Sequence, residues 1–428
     1  MPKENNPFKP TSPVYKGVFS GRYNEIQRIE TVMIETKKGN PTNLLIIGER
    51  GIGKTSLLLL SKFYASGDIK INSESLNFLP VFVSLDKRTT IPELARKIKI
   101  SIERYLRSSK NAIQYIKDVW SFIQKIEICS SKIGSTKLEV SESELFDNFT
   151  FSIIDTVKAI TNEENAINRL KLIKPMDGII IFIDEADNSS RELDLGTFLK
   201  HLSEQLVAEN CNYVLIIMAG LPDIRNILLE SHPSSLRLFE ELELFPLSED
   251  DVKDVILKGI EDANKRNTKP VTITDEALSW IFAFSEGYPH FVQQFGYSSY
   301  SYDKDYVIDE NDVKKAAFIN GGAYDLIGDR YYKDMYLNKI KKDSYRQVLK
   351  IMSENWNQWV SKQYIRERFK GKESTLNNAI RALSERNVIL KKPGTKGEYR
   401  LQWVGFAFWI KHFATSLEDR IGSFNDNV

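Results

Sequence analysis

The chain has 428 residues, roughly three times the commonest domain size, with 42% apolar and 27% charged residues, the balance of a folded multidomain protein. Two cysteines, Cys129 and Cys211, are too few for a disulfide framework or a zinc cage, and no apolar run approaches the roughly 18 residues of a membrane helix. The net charge of +1 hides an asymmetry: Lys341 to Trp403 carries 15 basic against 6 acidic residues, whereas the first 340 residues sum to −7.

Pro2, Pro7, Pro10 and Pro13 make the first 20 residues an extended, polar lead-in without a signal core, so the expectation is a cytoplasmic protein with no membrane partner. A helix is predicted over Asn24 to Thr36, with Ile26, Ile29, Val32 and Met33 on one face. Five short apolar runs follow: Asn43–Ile47, Pro80–Leu85, Gly178–Ile183, Tyr213–Ala219 and Glu241–Phe245. The first four are nearly continuous in Leu, Ile, Val and Phe, as in strands buried on both faces of a parallel sheet, and helical stretches separate them. An α/β domain with a parallel sheet is therefore expected. Residues 91–176, between the second and third strands, read as two long helices with a hairpin or loop near Ile133–Val140, and no chemistry is legible there.

Beyond Pro246 the pattern is helical. Ser248 with Asp251 forms a capping box, Thr274 and Asp309 are placed to cap two further helices, and Pro289 suits a first helical turn. From about Asp343, three helices (Ser344–Met352, Ser361–Phe369, Glu373–Arg386) precede two alternating runs, Val388–Lys392 and Glu398–Trp403. The predicted division is a nucleotide domain over 1–246, a helical lid over 247–325 and a basic terminal module over 326–428.

The strongest chemical signal is Gly48-Glu49-Arg50-Gly51-Ile52-Gly53-Lys54-Thr55, directly after one predicted strand and before a helix that opens with Ser56. That is the phosphate-binding loop in its required setting: glycines let consecutive N–H groups curl around a phosphate, and the helix N-terminus adds its dipole. Lys54 is assigned to the β- and γ-phosphates of ATP, and Thr55 to Mg2+. The second signal is the run Gly178–Ile183 ending in Asp184-Glu185. Ligands of open parallel sheets bind beyond the carboxyl ends of the strands, where both motifs emerge. Asp184 would hold Mg2+ and Glu185 would polarise the attacking water; the plainer alternative is a strand end with solvated acids.

With Phe19-Ser20-Gly21-Arg22-Tyr23-Asn24-Glu25 ahead of this loop, the chain resembles AAA+ ATPases of the replication-initiator type and the related STAND switch ATPases. The resemblance implies that Val14, Tyr15 and Arg22 line the base of the nucleotide. It implies an arginine finger at Arg237, within Ser234–Phe239, that acts on a neighbouring subunit; a plain surface arginine is the alternative. Gly287-Tyr288-Pro289-His290 is similar to the Gly-x-Pro motif of STAND proteins, in which Pro289 would touch the nucleotide. Two departures stand out: no polar residue follows the fourth strand, which runs Met218-Ala219-Gly220, and the helical domain lacks an arginine sensor. Both imply slow turnover. Asp184-Glu185-Ala186-Asp187 also spells a helicase box, which is set aside because only one set of nucleotide motifs is present.

The terminal module has the winged-helix pattern common at the end of both families. On its third helix Thr375, Asn377, Asn378 and Arg381 face outward, types that bond base edges or phosphates, and Lys391, Lys392 and Lys396 lie where a wing meets duplex DNA. The alternative is a protein-docking lid. The expected function is an ATP-binding, slowly hydrolysing switch or oligomeric AAA+ machine that works with DNA, itself or a separate effector protein. Its rival is an ATP-liganded regulator or adaptor with little turnover.

Overall fold

Runs of apolar residues without polar alternation need cover on both faces, and here they pair side by side in one parallel sheet. In the computed structural model, which describes residues 6–12, 21–71, 73–123, 142–356, 358–386, 388–392 and 394–414, the strands are β1 (Asn43–Ile47), β2 (Phe78–Ser84), β3 (Gly178–Asp184), β4 (Val214–Gly220) and β5 (Phe239–Glu243). Their order is β2–β3–β4–β1–β5. The inner strands β3 and β4 are buried at every residue; β5, at an edge, buries Phe239 and exposes Glu240 and Glu241.

Strands β2 and β5 each begin two residues earlier than their apolar runs predict. In β5 the neighbouring Glu240 and Glu241 are exposed on opposite faces of this edge strand, so hydropathy misses its start, and Phe239 pairs opposite Asn43. In β2, Pro80 would normally argue against a strand. It is tolerated because β2 is an edge strand whose residue 80 needs no outward N–H, while the N–H of Phe82 donates to Ser101 Oγ at 3.2 Å. The same two features blunt the free edge against strand addition.

Between β2 and β3 the described residues form helices Ile91–Tyr105, Lys110–Val119 and Glu142–Thr161, and a short π-helical turn at Asn165–Arg169. The first buries a stripe of Leu94, Ala95, Ile98 and Ile102. Trp120 is fully buried, donates Nε1 to Thr156 Oγ1 at 3.1 Å and meets Phe149 edge-on at 5.6 Å, which ties this insertion together. The expected hairpin at Ile133–Val140 and Cys129 lie outside the described residues.

The described residues group into two compact units, Arg22–Phe245 and a second that takes Pro246 onward together with residues 6–12 and Gly21. In the second unit Phe8 packs against Tyr300, and Asn6 donates Nδ2 to Tyr297 O at 2.8 Å. Its helices start where the caps predict: Glu249–Asn264 behind the Ser248/Asp251 box, Asp275–Ser285 behind Thr274, and Glu310–Phe318 behind an Asp309/Asp312 box. Two short strands, β6 (Thr272–Ile273) and β7 (Val307–Ile308), pair in parallel. Helices Asp343–Ser353, Lys362–Arg368 and Glu373–Glu385 then accompany a three-stranded antiparallel sheet ordered β8 (Val360–Ser361, between the first two helices), β10 (Glu398–Leu401), β9 (Ile389–Lys391). β8 is too short for alternation to announce it. One apolar cluster runs through this unit and takes in Phe406, Phe408 and Trp409, with Phe408 at 5.3 Å from the Tyr324 ring. Among the described residues no helix is long and apolar enough to cross a membrane.

Candidate nucleotide site

Because β4 lies between β1 and β3, the loop after β1 and the acids after β3 flank the end of β4. Gly53, at φ +102, takes a backbone conformation closed to side chains and turns the loop into the helix Lys54–Ser66. Gly48 serves a different need: a Cβ there would come within 2.8 Å of Ile52 Cγ2 and 3.1 Å of Leu244 O. Arg22 is buried beside the loop, donating Nη2 to Ile52 O at 3.2 Å and to Phe245 O at 2.6 Å, and Nη1 to Glu25 at 3.2 Å. It ties the loop to the chain that leaves β5.

Lys54 donates Nζ to Gly48 O at 2.7 Å and Glu49 O at 3.0 Å, so the ammonium stays inside the loop it would cross to reach a phosphate. Burial pushes it below its ordinary value, against the opposing pull of Asp187, Asp184 and Glu49. Thr55 donates Oγ1 to Asp184 Oδ2 at 2.8 Å, and Asp184 Oδ1 accepts from the Glu185 N–H at 2.9 Å. Asp184 is buried, whereas Glu185 is exposed, its Oε2 accepting from Ser84 Oγ at 3.3 Å. Glu185 sits at φ +54, a left-handed conformation that costs a non-glycine residue on the order of 1 kcal/mol, held here by the 3-10 turn Ala186–Asn188.

Two contributors escaped the sequence reading. Asp187 accepts the Leu221 N–H at 2.8 Å through Oδ1 and is the strongest carboxylate pull on Lys54. It brings a charged group to the end of β4, where β4 itself has none; its only sequence signal was the helicase-like spelling. Ser84, opposite Asp184 in the β2–β3 register, is the other.

The remaining residues named from the sequence are dispersed. Glu49, Gly51, Ile52 and Ser56 belong to the same loop and helix start, with Ile52 buried and Arg50 exposed. Val14 and Tyr15 lie outside the described residues. Pro289 opens the helix Pro289–Tyr302 of the second unit. Arg237 is exposed on a 3-10 turn, Ser235–Leu238, just before β5. Since Phe239 pairs with Asn43, Arg237 stands at the end of the sheet opposite the loop, about 17 Å along a strand from Gly48. Thr375, Asn377, Asn378 and Arg381 are exposed on the helix Glu373–Glu385. Lys391 and Lys396 are exposed, while Lys392 pairs with Glu398 at 2.5 Å.

The oxygens of Thr55 and Asp184 are hard donors of the type Mg2+ takes. No group of three His, Cys, Asp or Glu forms a metal cage among the described residues, and a cation shared with phosphate oxygens and water does not require one. Cys211 is buried and free, its thiol pushed up to about 11 by burial.

No protein-family model matches the chain. An uncharacterized HTH-type transcriptional regulator of Methanocaldococcus jannaschii is 24% identical over 278 residues, 63% of this chain and 60% of the relative's length. The Aeropyrum pernix ORC2 protein, solved in ADPNP–ADP complexes, superposes over 99% of this chain and 100% of its own with a TM-score of 0.58 at 11% identity. The chain has the fold of an origin-recognition AAA+ protein. The A. pernix ORC1 protein in complex with DNA gives a TM-score of 0.43 at 16% identity, over 95% of this chain and 97% of that one. The α/β class and the resemblance to replication-initiator AAA+ proteins read from the motifs are thus borne out at the level of fold.

Proposed function

We propose that this protein binds ATP with Mg2+ on the loop after β1, hydrolyses it slowly, and uses the nucleotide as a switch for a DNA-contacting winged helix. The observation that carries this reading is Lys54 held inside the loop by the Gly48 and Glu49 carbonyls while Thr55 bonds Asp184, with Glu185 beside it. Phosphate oxygens arriving in the loop replace the Gly48 and Glu49 carbonyls as partners of Lys54, whose partly desolvated ammonium then regains a full counter-charge. Thr55 and Asp184 would hold Mg2+, which would supply neutralisation of phosphate charge. Glu185 orients water and takes its proton. The fold neighbour is seen with ADPNP and ADP, which accords with the nucleotide assignment.

Slow turnover follows from what stands at the end of β4. Gly220 offers no side chain to orient water, and Asp187 brings a negative charge that does not favour an incoming phosphate. Arg237 serves as an arginine finger only for a second copy, since it lies at the far end of its own sheet; self-association therefore raises turnover. DNA contact is assigned to the exposed face of Glu373–Glu385 and to Lys391 and Lys396, in the segment of local charge +9. The relative described as an HTH-type regulator is in keeping with that assignment.

The test is steady-state ATP hydrolysis by the full chain, with and without duplex DNA, read beside its oligomeric state and beside Glu185→Gln. Slow hydrolysis that the variant loses while it still binds ATP is the expected result. Failure of the full chain to bind ATP overturns the proposal; binding without any turnover selects the ATP-liganded regulator.

A further inference from the structure

Along the free edge of the sheet, within the Arg22–Phe245 unit, lies a cavity of about 800 Å3. That volume is inside the roughly 300–1,000 Å3 range of small-molecule sites. Its walls are β2, the helix Ile91–Tyr105 and the helix that follows the phosphate loop, which contributes Lys62.

The lining is unbalanced in charge. Lys62, Lys97, Arg104 and Arg107 face two carboxylates, Asp86 and Glu185. Lys97 and Asp86 satisfy each other at 3.0 Å. Lys62, Arg104 and Arg107 make no ion pair among the described residues. A basic residue at a helix C-terminus is ordinarily explained by the helix dipole, and that accounts for Arg104. It does not account for Lys62, which comes from another helix, or for Arg107, which lies past the helix end, converging on the same space. Spacing explains how the second wall forms: Lys97, Ser101 and Arg104 recur at i, i+4 and i+7 on a face flanking the buried Leu94–Ile98–Ile102 stripe. The same lining holds two rings, Phe82 and Tyr105, with Lys62 Nζ 6.0 Å from the Phe82 centroid.

Cations around a recess with aromatic walls suit a ligand that joins a phosphate to a planar ring. We infer that this cavity binds a nucleotide unit separate from any ATP on the phosphate loop, its phosphate held by Lys62, Arg104 and Arg107 and its base against Phe82 and Tyr105. The unit is either a free mononucleotide or one residue of a nucleic-acid strand. Glu185 lines the same cavity, so an occupant lies against the carboxylate assigned to hydrolysis. The site itself does not depend on that assignment.

The experiment uses the full chain carrying Lys54→Ala, which silences the phosphate loop, with two probes: AMP by calorimetry and a fluorescein-labelled oligo-dT octamer by anisotropy. At least one probe binds, and adding Arg104→Glu with Arg107→Glu weakens it on the order of tenfold or more. AMP binding selects the free nucleotide as the source, and octamer binding alone selects the strand. Both arginines are exposed, so the fold tolerates reversal; Arg104→Gln with Arg107→Gln is the milder pair, and thermal melting checks both. Without the Lys54 change, the reversed chain keeps its ATP affinity, so failure here and failure of the phosphate-loop reading are separable. If neither probe binds, or the bound probe ignores both arginine pairs, the site does not exist.

Discussion

The loop after β1 and the basic helix Glu373–Glu385 are built on opposite plans. In the first, Lys54, Thr55, Asp184 and Arg22 are wholly or partly buried and bonded to one another or to the loop backbone, so each side chain has one place to be. In the second, Leu376, Ala379, Ile380 and Leu383 are buried and everything of functional type points to water. There, among the described residues, Arg381 meets only Asn378 at 3.4 Å and Glu385 at 4.0 Å, contacts worth little at a surface. A preorganised site concentrates its effect in single residues; a solvated face spreads it over many. Mutational effects therefore separate the two regions.

The largest effect belongs to Glu185. Glu185→Gln keeps the shape and removes the base, so turnover falls by about 10²–10⁴-fold while ATP affinity holds. Equal turnover by the variant, measured at saturating ATP, removes Glu185 from the mechanism. Lys54→Ala comes next: loss of a partly desolvated cation weakens ATP binding on the order of 10²-fold, read by calorimetry. Undiminished affinity would mean the loop is ornamental.

Asp187→Asn sharpens the comparison inside the buried site. The amide oxygen still accepts the Leu221 N–H, but the charge facing Lys54 is gone. Turnover or affinity for ATP then changes by roughly tenfold, the scale of 1.4 kcal/mol. Affinity rising with turnover unchanged assigns Asp187 to repulsion alone; a fall in turnover at constant affinity makes it a positioning residue. A variant indistinguishable in both reduces it to a backbone cap.

The exposed region predicts small, additive effects. Lys391→Ala with Lys396→Ala lowers DNA affinity similarly on any sequence and flattens its salt dependence by about 2. Lys392 contributes less than either because Glu398 already holds it. An unchanged slope in a salt titration, with DNA still bound, moves the interface elsewhere.

Legibility followed the same division. Strands β1 and β3 and the loop between β1 and its helix were readable because each residue there answers a local demand: unbroken apolar runs, glycines for a turn, acids at a strand end. The caps Ser248, Thr274 and Asp309 were readable for that reason too. What was missed depends on partners far along the chain. The early start of β5 needs Asn43 opposite Phe239, β8 exists only by pairing with β10, and Phe8 finds its place beside Tyr300. Asp187 belongs to the same class, because its role comes from Leu221, which lies 34 residues away.

One half-buried acid in the second unit tests whether interlocking, rather than chemistry type, makes the difference. Glu286 ends the helix Asp275–Ser285 in a left-handed turn at φ +52, and its carboxylate accepts the Gly405 N–H at 3.0 Å, at the start of the helix Val404–Trp409. Burial pushes its carboxyl above the ordinary 4.5, against the pull of the Gly405 and Val404 N–H groups and of Arg400. The folded chain therefore holds this proton more tightly than the unfolded one. Its contribution to stability is complete below about pH 4.5 and is lost as pH rises through the raised value. Glu286→Gln has no proton to lose, so its melting temperature falls less across that window, by about 3–5 °C for each pKa unit of displacement. Thermal melts of both chains from pH 4 upward read the difference directly, and parallel curves would mean that Gly405 is held by packing alone.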